Sequence, residues 1–416
     1  MPSPAIIPPV PIWQRLARPE SADLLSAAAA ADPGDVAQTA RLRKRFVDAD
    51  LIHAALALAS ARRKGETKFG PRAALMWSDA AGMEMSSGLA CARHKAARFA
   101  KVLPAGSAVA DLCSGIGGDS IALSEAGFLV TAVDLDPARA WMTGMNAPAC
   151  TAVCTDVTAW IESANLAQFR AAHLDPARRT ASAESGPRRT FRIDDLLPGP
   201  PVIRRVIEQI GSVAVKLGPG LDFSRLSAFS PRGEVEIISE RGRLTQAILW
   251  TGSLVLPATL PTLHPRTATA INALGAVATI SGEPDTAVPV WDHHSPPRFI
   301  HEIDAAVERA ELLEALCRRA QAAMWHPRLG LIAADRTIPD PFVTPFEVLD
   351  VLPFHERRLR DRLAGLNAGI VEVKTRDKTV DPNRLQPALR GRGDNPLAVF
   401  VLRFDRAVRA VIARRV

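Results

Sequence analysis

The reading turns on VADLCSGIGGDSIALSEAGFLVTAVDLDPARA, residues 109–140. An apolar run ends at Asp111, a turn carries Gly115, Gly117 and Gly118, a helical segment SIALSEAG follows, and a second apolar run ends at Asp134. Strand, glycine turn, helix and strand in that order open a parallel α/β sheet. A dinucleotide loop would read G-x-G-x-x-G, its third glycine letting helix and strand close up beside a pyrophosphate. Only Gly115 and Gly117 fit that spacing. The loop therefore suits a ligand that wants close backbone approach and has no pyrophosphate.

S-adenosylmethionine is such a ligand. Its amino-acid end carries a carboxylate and an ammonium, so helix-terminal amides and an acidic side chain complement it together. On this reading Asp111 takes the ammonium, while Gly115, Gly117 and Gly118, with no Cβ to collide, let the chain run along the methionine portion. Cys113, inside the same loop, is grouped with them. Asp134 ends the next strand, where a carboxylate accepts from both ribose hydroxyls. Asp156 in VCTDV ends a third strand and is placed for the adenine amine. Asp136 is expected as the N-cap of a helix starting at Pro137. Three strand-end carboxylates in order make the loop a ligand site rather than a tight turn.

The same alternation continues through RAAHLDP and SVAVKLGP, so residues 101–287 read as a Rossmann-like, doubly wound sheet. Before it, residues 1–100 read as a helical domain with apolar positions three and four apart, its first ~17 residues Pro-rich and irregular. After the turn-rich GEPDTAVPVWDHHSPP, residues 288–416 open with the helical run FIHEIDAAVERAELLEALCRRAQA and continue as strands separated by helices. That pattern suggests a ferredoxin-like α+β domain.

Residues 109–140 resemble the class I S-adenosylmethionine-dependent methyltransferases, and DLCSGIGGDSIAL is similar to their trimethylguanosine synthase-like branch. Over roughly residues 75–416 the chain resembles bacterial methyltransferases that carry a C-terminal THUMP-like domain. In relatives that methylate an amine, an Asp or Asn, two prolines and an aromatic residue close the fourth strand and hold the acceptor. HLDPARR, residues 173–179, keeps Asp175 and Pro176, with Ala177 for the second proline and Arg178 for the aromatic. The resemblance thus implies a catalytic or acceptor-holding Asp175 beside Pro176, and an Arg178 that stacks by its guanidinium plane or pairs with a phosphate.

A formal charge of +7 and a pI near 9.5 suit an anionic partner. Two basic regions could meet RNA: Arg178 and Arg179 within ARRTASAESGPRRTFR, and Lys374, Arg376, Lys378, Arg390 and Arg392 in the last domain. The expected activity is methyl transfer from S-adenosylmethionine to a base in structured RNA, tRNA or rRNA. The alternatives are a methyltransferase for a small molecule or protein, and an inactive protein that binds the cofactor and RNA.

Cys91, Cys113, Cys150, Cys154 and Cys317 are odd in number and lack zinc spacing, and His293 and His294 sit in a linker, so no metal is expected. The N-terminus has no signal-peptide pattern and no apolar run is long enough to span a bilayer, which points to a soluble, cytoplasmic protein.

Overall fold

The computed structural model describes residues 9–32, 35–178, 193–220, 222–256, 264–291, 296–376 and 379–416. Contacts divide the chain into two compact units: residues up to Glu234 with Gln246–Pro257, and Val235–Thr245 with Ala258–Val416.

The first unit begins with six helices: α1 Val10–Leu16, α2 Ala22–Ala30, α3 Val36–Arg45, α4 Ala49–Phe69, α5 Ala80–Met85 and α6 Leu89–Val102. Aspartates start three of them, since Asp35, Asp48 and Asp79 each accept from backbone amides of the first turn. α1 falls where irregular chain is expected. Pro9 precedes its first turn, and Trp13 and Leu16 are completely buried, so packing overrides the proline-rich composition.

The alternating part follows as β1 Ala108–Leu112, α7 Gly118–Glu125, β2 Leu129–Asp134, α8 Pro137–Asn146, β3 Thr151–Cys154, α9 Val157–Ser163 and β4 Ala171–Leu174. Next come the short β5 Ala177–Arg178 and β6 Leu196–Leu197, then α10 Pro200–Ile210, β7 Val213–Leu217, β8 Glu234–Glu240, which falls in the second unit from Val235 on, and β9 Arg243–Trp250. Within this unit the sheet order is β3-β2-β1-β4-β7-β9. All pairs are parallel except β7 with β9. β1 and β4 are buried on both faces, as in a covered parallel sheet, with Asp111 and His173 as their polar residues. The strand order reverses between β1 and β4, and such a switch point opens a crevice beyond the carboxyl ends of the strands. One apolar cluster joins Trp13, Leu58 and Met83 of the early helices to Ile116, Ile121 and Met142. The N-terminal helices thus share a core with the glycine loop and with α7 and α8.

The second unit contains β10 Arg266–Ile271, β11 Val277–Gly282, β12 Phe299–Ile303, α11 Ala305–Ala310, α12 Leu313–Ala320, β13 Ala323–Met324 and β14 Leu331–Ala334. It ends with β15 Val343–Pro353, α13 Glu356–Gly365, β16 Ala368–Thr375, α14 Pro382–Leu389, β17 Asn395–Phe404 and β18 Ala407–Arg415. A seven-stranded sheet runs β13-β14-β12-β15-β18-β17-β16.

Two expectations change here. FIHEI is a strand, β12, paired on both sides by β14 and β15; the helix begins only after Asp304, which caps it. The last domain is α+β, yet its final six elements run β-α-β-α-β-β, with β16 and β17 parallel and β17 and β18 a hairpin. A ferredoxin-like unit runs β-α-β-β-α-β. The hairpin turn uses Asp405 at φ 52°, which lets the chain reverse into a strand that its arginines disguise. No described helix is long and apolar enough to cross a membrane.

Candidate active site

The glycine loop leaves β1 through three left-handed residues, Cys113 at φ 60°, Gly115 at 59° and Gly117 at 81°. α8 holds it from one side. Thr143 Oγ1 donates to the Gly115 carbonyl at 2.9 Å, and Asn146 Nδ2 donates to the Ile116 carbonyl at 2.8 Å and to that of Trp77 at 2.9 Å.

The three glycines do different work. A Cβ on Gly118 would collide with Ser86 Oγ, and one on Gly117 would press on Thr143 at 3.1 to 3.3 Å. Both are therefore required by the protein's own packing. A Cβ on Gly115 would meet nothing within 4 Å. Open space beside a left-handed glycine at a sheet's switch point is what a ligand running along the backbone requires.

Asp111 is fully buried, and its register partner on β4 is His173. Its Oδ1 lies 2.8 Å from His173 Nδ1, a bond in which the imidazole donates, and Ser120 Oγ donates to Oδ2. Each oxygen accepts a bond inside the protein and the carboxylate is fully buried, so the described partners of Asp111 belong to the protein itself. On the other side of His173, Lys95 Nζ lies 3.1 Å from Nε2, 2.6 Å from Asp119 Oδ1 and 3.1 Å from Ser87 Oγ. Burial opposes ionisation of Asp119, but Lys95, His173 and Lys216 outweigh it and hold its carboxyl well below the usual range.

Asp134 ends β2 as expected. Gly115 N donates to its Oδ2 at 2.8 Å and Asp136 N to its Oδ1 at 2.9 Å. Each oxygen keeps a second lone pair for a hydroxyl. Burial pushes the Asp134 carboxyl up, and the two amides only partly offset it. Asp136 caps α8, accepting from Ala138 N at 2.8 Å. Asp156 is also an N-cap, its Oδ1 accepting from Thr158 N at 2.7 Å, a role the strand-end reading did not assign. Burial first, then Asp134, Asp175, Asp111 and Asp156, push the Cys113 thiol well above its ordinary value. A thiol so held is no nucleophile.

Asp175 lies just beyond β4, its amide donating to the Leu112 carbonyl at 3.1 Å, and Pro176 beside it is buried. Pairing of His173 with Ala214 and of Leu174 with Val215 carries on to bring Asp175 beside Lys216 of β7. Lys216 Nζ donates to Asp175 Oδ2 at 2.6 Å. Lys216, Lys95 and His173, absent from the expected set, are marked in the sequence only as polar residues inside otherwise apolar strands and helix faces. The Arg178 backbone pairs with Leu196 in the small β5–β6 ladder, and Arg179 lies outside the described residues.

In the second unit the expected basic residues separate. Lys374 pairs with Glu302 at 2.9 Å and Glu372 at 3.0 Å, and Arg376 with Glu302 at 3.4 Å, so carboxylates neutralise both. Arg390 and Arg392 are exposed and pair with no described carboxylate. Between and beside them Gly391 N donates to the Gly369 carbonyl at 2.9 Å and Gly393 N to that of Ala368 at 3.0 Å. Glycines dock and arginines project. Lys378, His293 and His294 lie outside the described residues, and no group of three metal-ligating side chains occurs among those described.

Residues 343–415 match the model of the THUMP domain-like family. The chain is 32% identical over 330 residues to an uncharacterized S-adenosylmethionine-dependent methyltransferase of Mycobacterium tuberculosis, in two strains, covering 77% of this chain and 83% of the relative. Its fold is similar to that of a Porphyromonas gingivalis W83 protein provisionally named a methyltransferase. The TM-score is 0.72 at 17% identity, over 94% of this chain and 98% of that one.

Proposed function

Because the chain belongs to the S-adenosylmethionine-dependent methyltransferases, we propose that it methylates a base in structured RNA, tRNA or rRNA, in the cytoplasm. The cofactor fits the residues present. The open side of Gly115, the remaining lone pairs of Asp134 and the first-turn amides of α7 would hold it, and it would supply a methyl carbon made electrophilic by a sulfonium. Asp175, at the mouth of the same crevice, would hold the acceptor. The acceptor's lone pair would take the methyl group that the bound cofactor supplies, the carbon–sulfur pair returning to sulfur, and Asp175 would receive the proton the acceptor gives up.

The observation that carries the RNA half is the Arg390–Gly391–Arg392–Gly393 loop of the THUMP-like segment, whose glycines are fixed on backbone and whose two guanidinium groups stand free of described carboxylates. Such groups pair with phosphates or stack on bases. The test compares modified nucleosides in total RNA from cells with and without the protein. One methylated nucleoside should disappear, return with the wild type and stay absent with Asp175→Ala. An unchanged nucleoside profile would refute the RNA acceptor.

A further inference from the structure

The acceptor aspartate does not stand alone. Lys216 and Asp175 lie on neighbouring strands at the carboxyl ends of β7 and β4, 2.6 Å apart, with side chains only 15% and 29% exposed. Asp175 Oδ2 is taken by Lys216, whereas Oδ1 has no hydrogen-bond partner among the described residues. We propose that Lys216 is a positioning residue for methyl transfer: its ion pair balances the charge of Asp175 and commits Oδ2, so that Oδ1 alone faces the acceptor's proton-bearing nucleophile. The inference rests on the reading of Asp175 as the acceptor-holding residue.

Two features support it. Burial would drive a proton from Lys216, but Asp175 and Asp119 outweigh it and raise the ammonium above its ordinary value, so Lys216 is a fixed cation and not a proton acceptor. A lone carboxylate would also attract the positive sulfonium of the donor itself. Balanced by a lysine, it is left to hold the acceptor.

The test needs no acceptor. Calorimetry gives the affinities for S-adenosylmethionine, a cation at sulfur, and for S-adenosylhomocysteine, its neutral thioether. Lys216→Met should raise the preference for the sulfonium about tenfold, the scale of one uncompensated charge at a partly hydrated site. Lys216→Arg should keep the wild-type preference, and Lys216→Met with Asp175→Asn should restore it. Asp175→Asn alone, leaving the lysine uncompensated, should shift the preference the other way, which keeps the test decisive should Lys216→Met fail to fold. Preferences within twofold of wild type in both single variants would overturn the inference. A second arm follows tritium from S-adenosylmethionine into total RNA of a strain lacking the protein. Lys216→Met should lose at least tenfold in kcat without a raised KM for S-adenosylmethionine, and an unchanged kcat would also overturn the inference. A wild type that labels no RNA would remove the RNA reading while the affinity ratios still judge Lys216.

Discussion

Lys95→Met removes the cation at the centre of the buried network under the glycine loop. The Lys95 side chain is 2% exposed and that of its partner Asp119 9%, and the pair is 2.6 Å apart. The same ammonium also bonds Ser87 and His173, so methionine, of similar length, fills the space but leaves a buried carboxylate without its nearest cation. Breaking a buried pair from one side costs about 3–5 kcal/mol. That is a large part of the stability of an ordinary domain, about 5–15 kcal/mol. Urea unfolding followed by tryptophan fluorescence reads the right unit, since Trp13, Trp77, Trp141, Trp160 and Trp250 all lie in it. Adding Asp119→Leu should recover at least half of the loss, because the stranded charge is then gone. A loss below about 1 kcal/mol, or a double variant no more stable than the single one, would refute the claim that this network holds the loop in place.

Other residues make separate predictions. Asp134 has its carboxyl raised by burial, so ionisation costs the folded state stability that returns as pH falls through the raised value. Asp134→Asn, which offers one acceptor where the carboxylate offers two, should weaken S-adenosylmethionine binding at least tenfold in calorimetry. Asp119 has the opposite sign: its depressed carboxyl contributes stability that is fully present above the unfolded value of 3.8 and is lost only as pH falls towards the folded one. Acid unfolding of Asp119→Asn should show less loss of stability below pH ~4 than the wild type. Gly118→Val, driven against Ser86 and Ser87, should abolish cofactor binding, whereas a chain that binds normally would show the loop has room to shift. Arg390→Glu with Arg392→Glu should lower retention of total RNA on filters and flatten its salt dependence, with cofactor affinity unchanged.

The order of strands, the glycine turn and the strand-end position of Asp134 were all readable from local pattern, because each depends on neighbours within a few residues. What Asp111 does was not. An acidic residue at the end of a strand looks the same whether it faces a ligand or the sheet's underside, and only pairing with His173 decides between them. Lys216 was hidden for the same reason: its partner Asp175 is 41 residues away and meets it only through strand register. FIHEI reads as helix because it runs into a helical stretch, and the Asp304 cap marks the boundary too weakly to be seen without β14 and β15 beside it. The early helices carry no motif at all. Their part, through Ser86, Ser87 and Lys95, is to pack the wall behind Gly118 and Asp119, and that is a property of contacts.

The most direct test of the whole reading is methyl transfer in vitro. Purified wild type and Asp175→Ala are incubated with tritiated S-adenosylmethionine and total RNA from a strain lacking the protein. The account predicts that wild type labels one discrete RNA species, while Asp175→Ala still binds the cofactor and labels none. Equal labelling by both proteins would contradict the role given to Asp175, and no labelling of RNA by the wild type would contradict the acceptor.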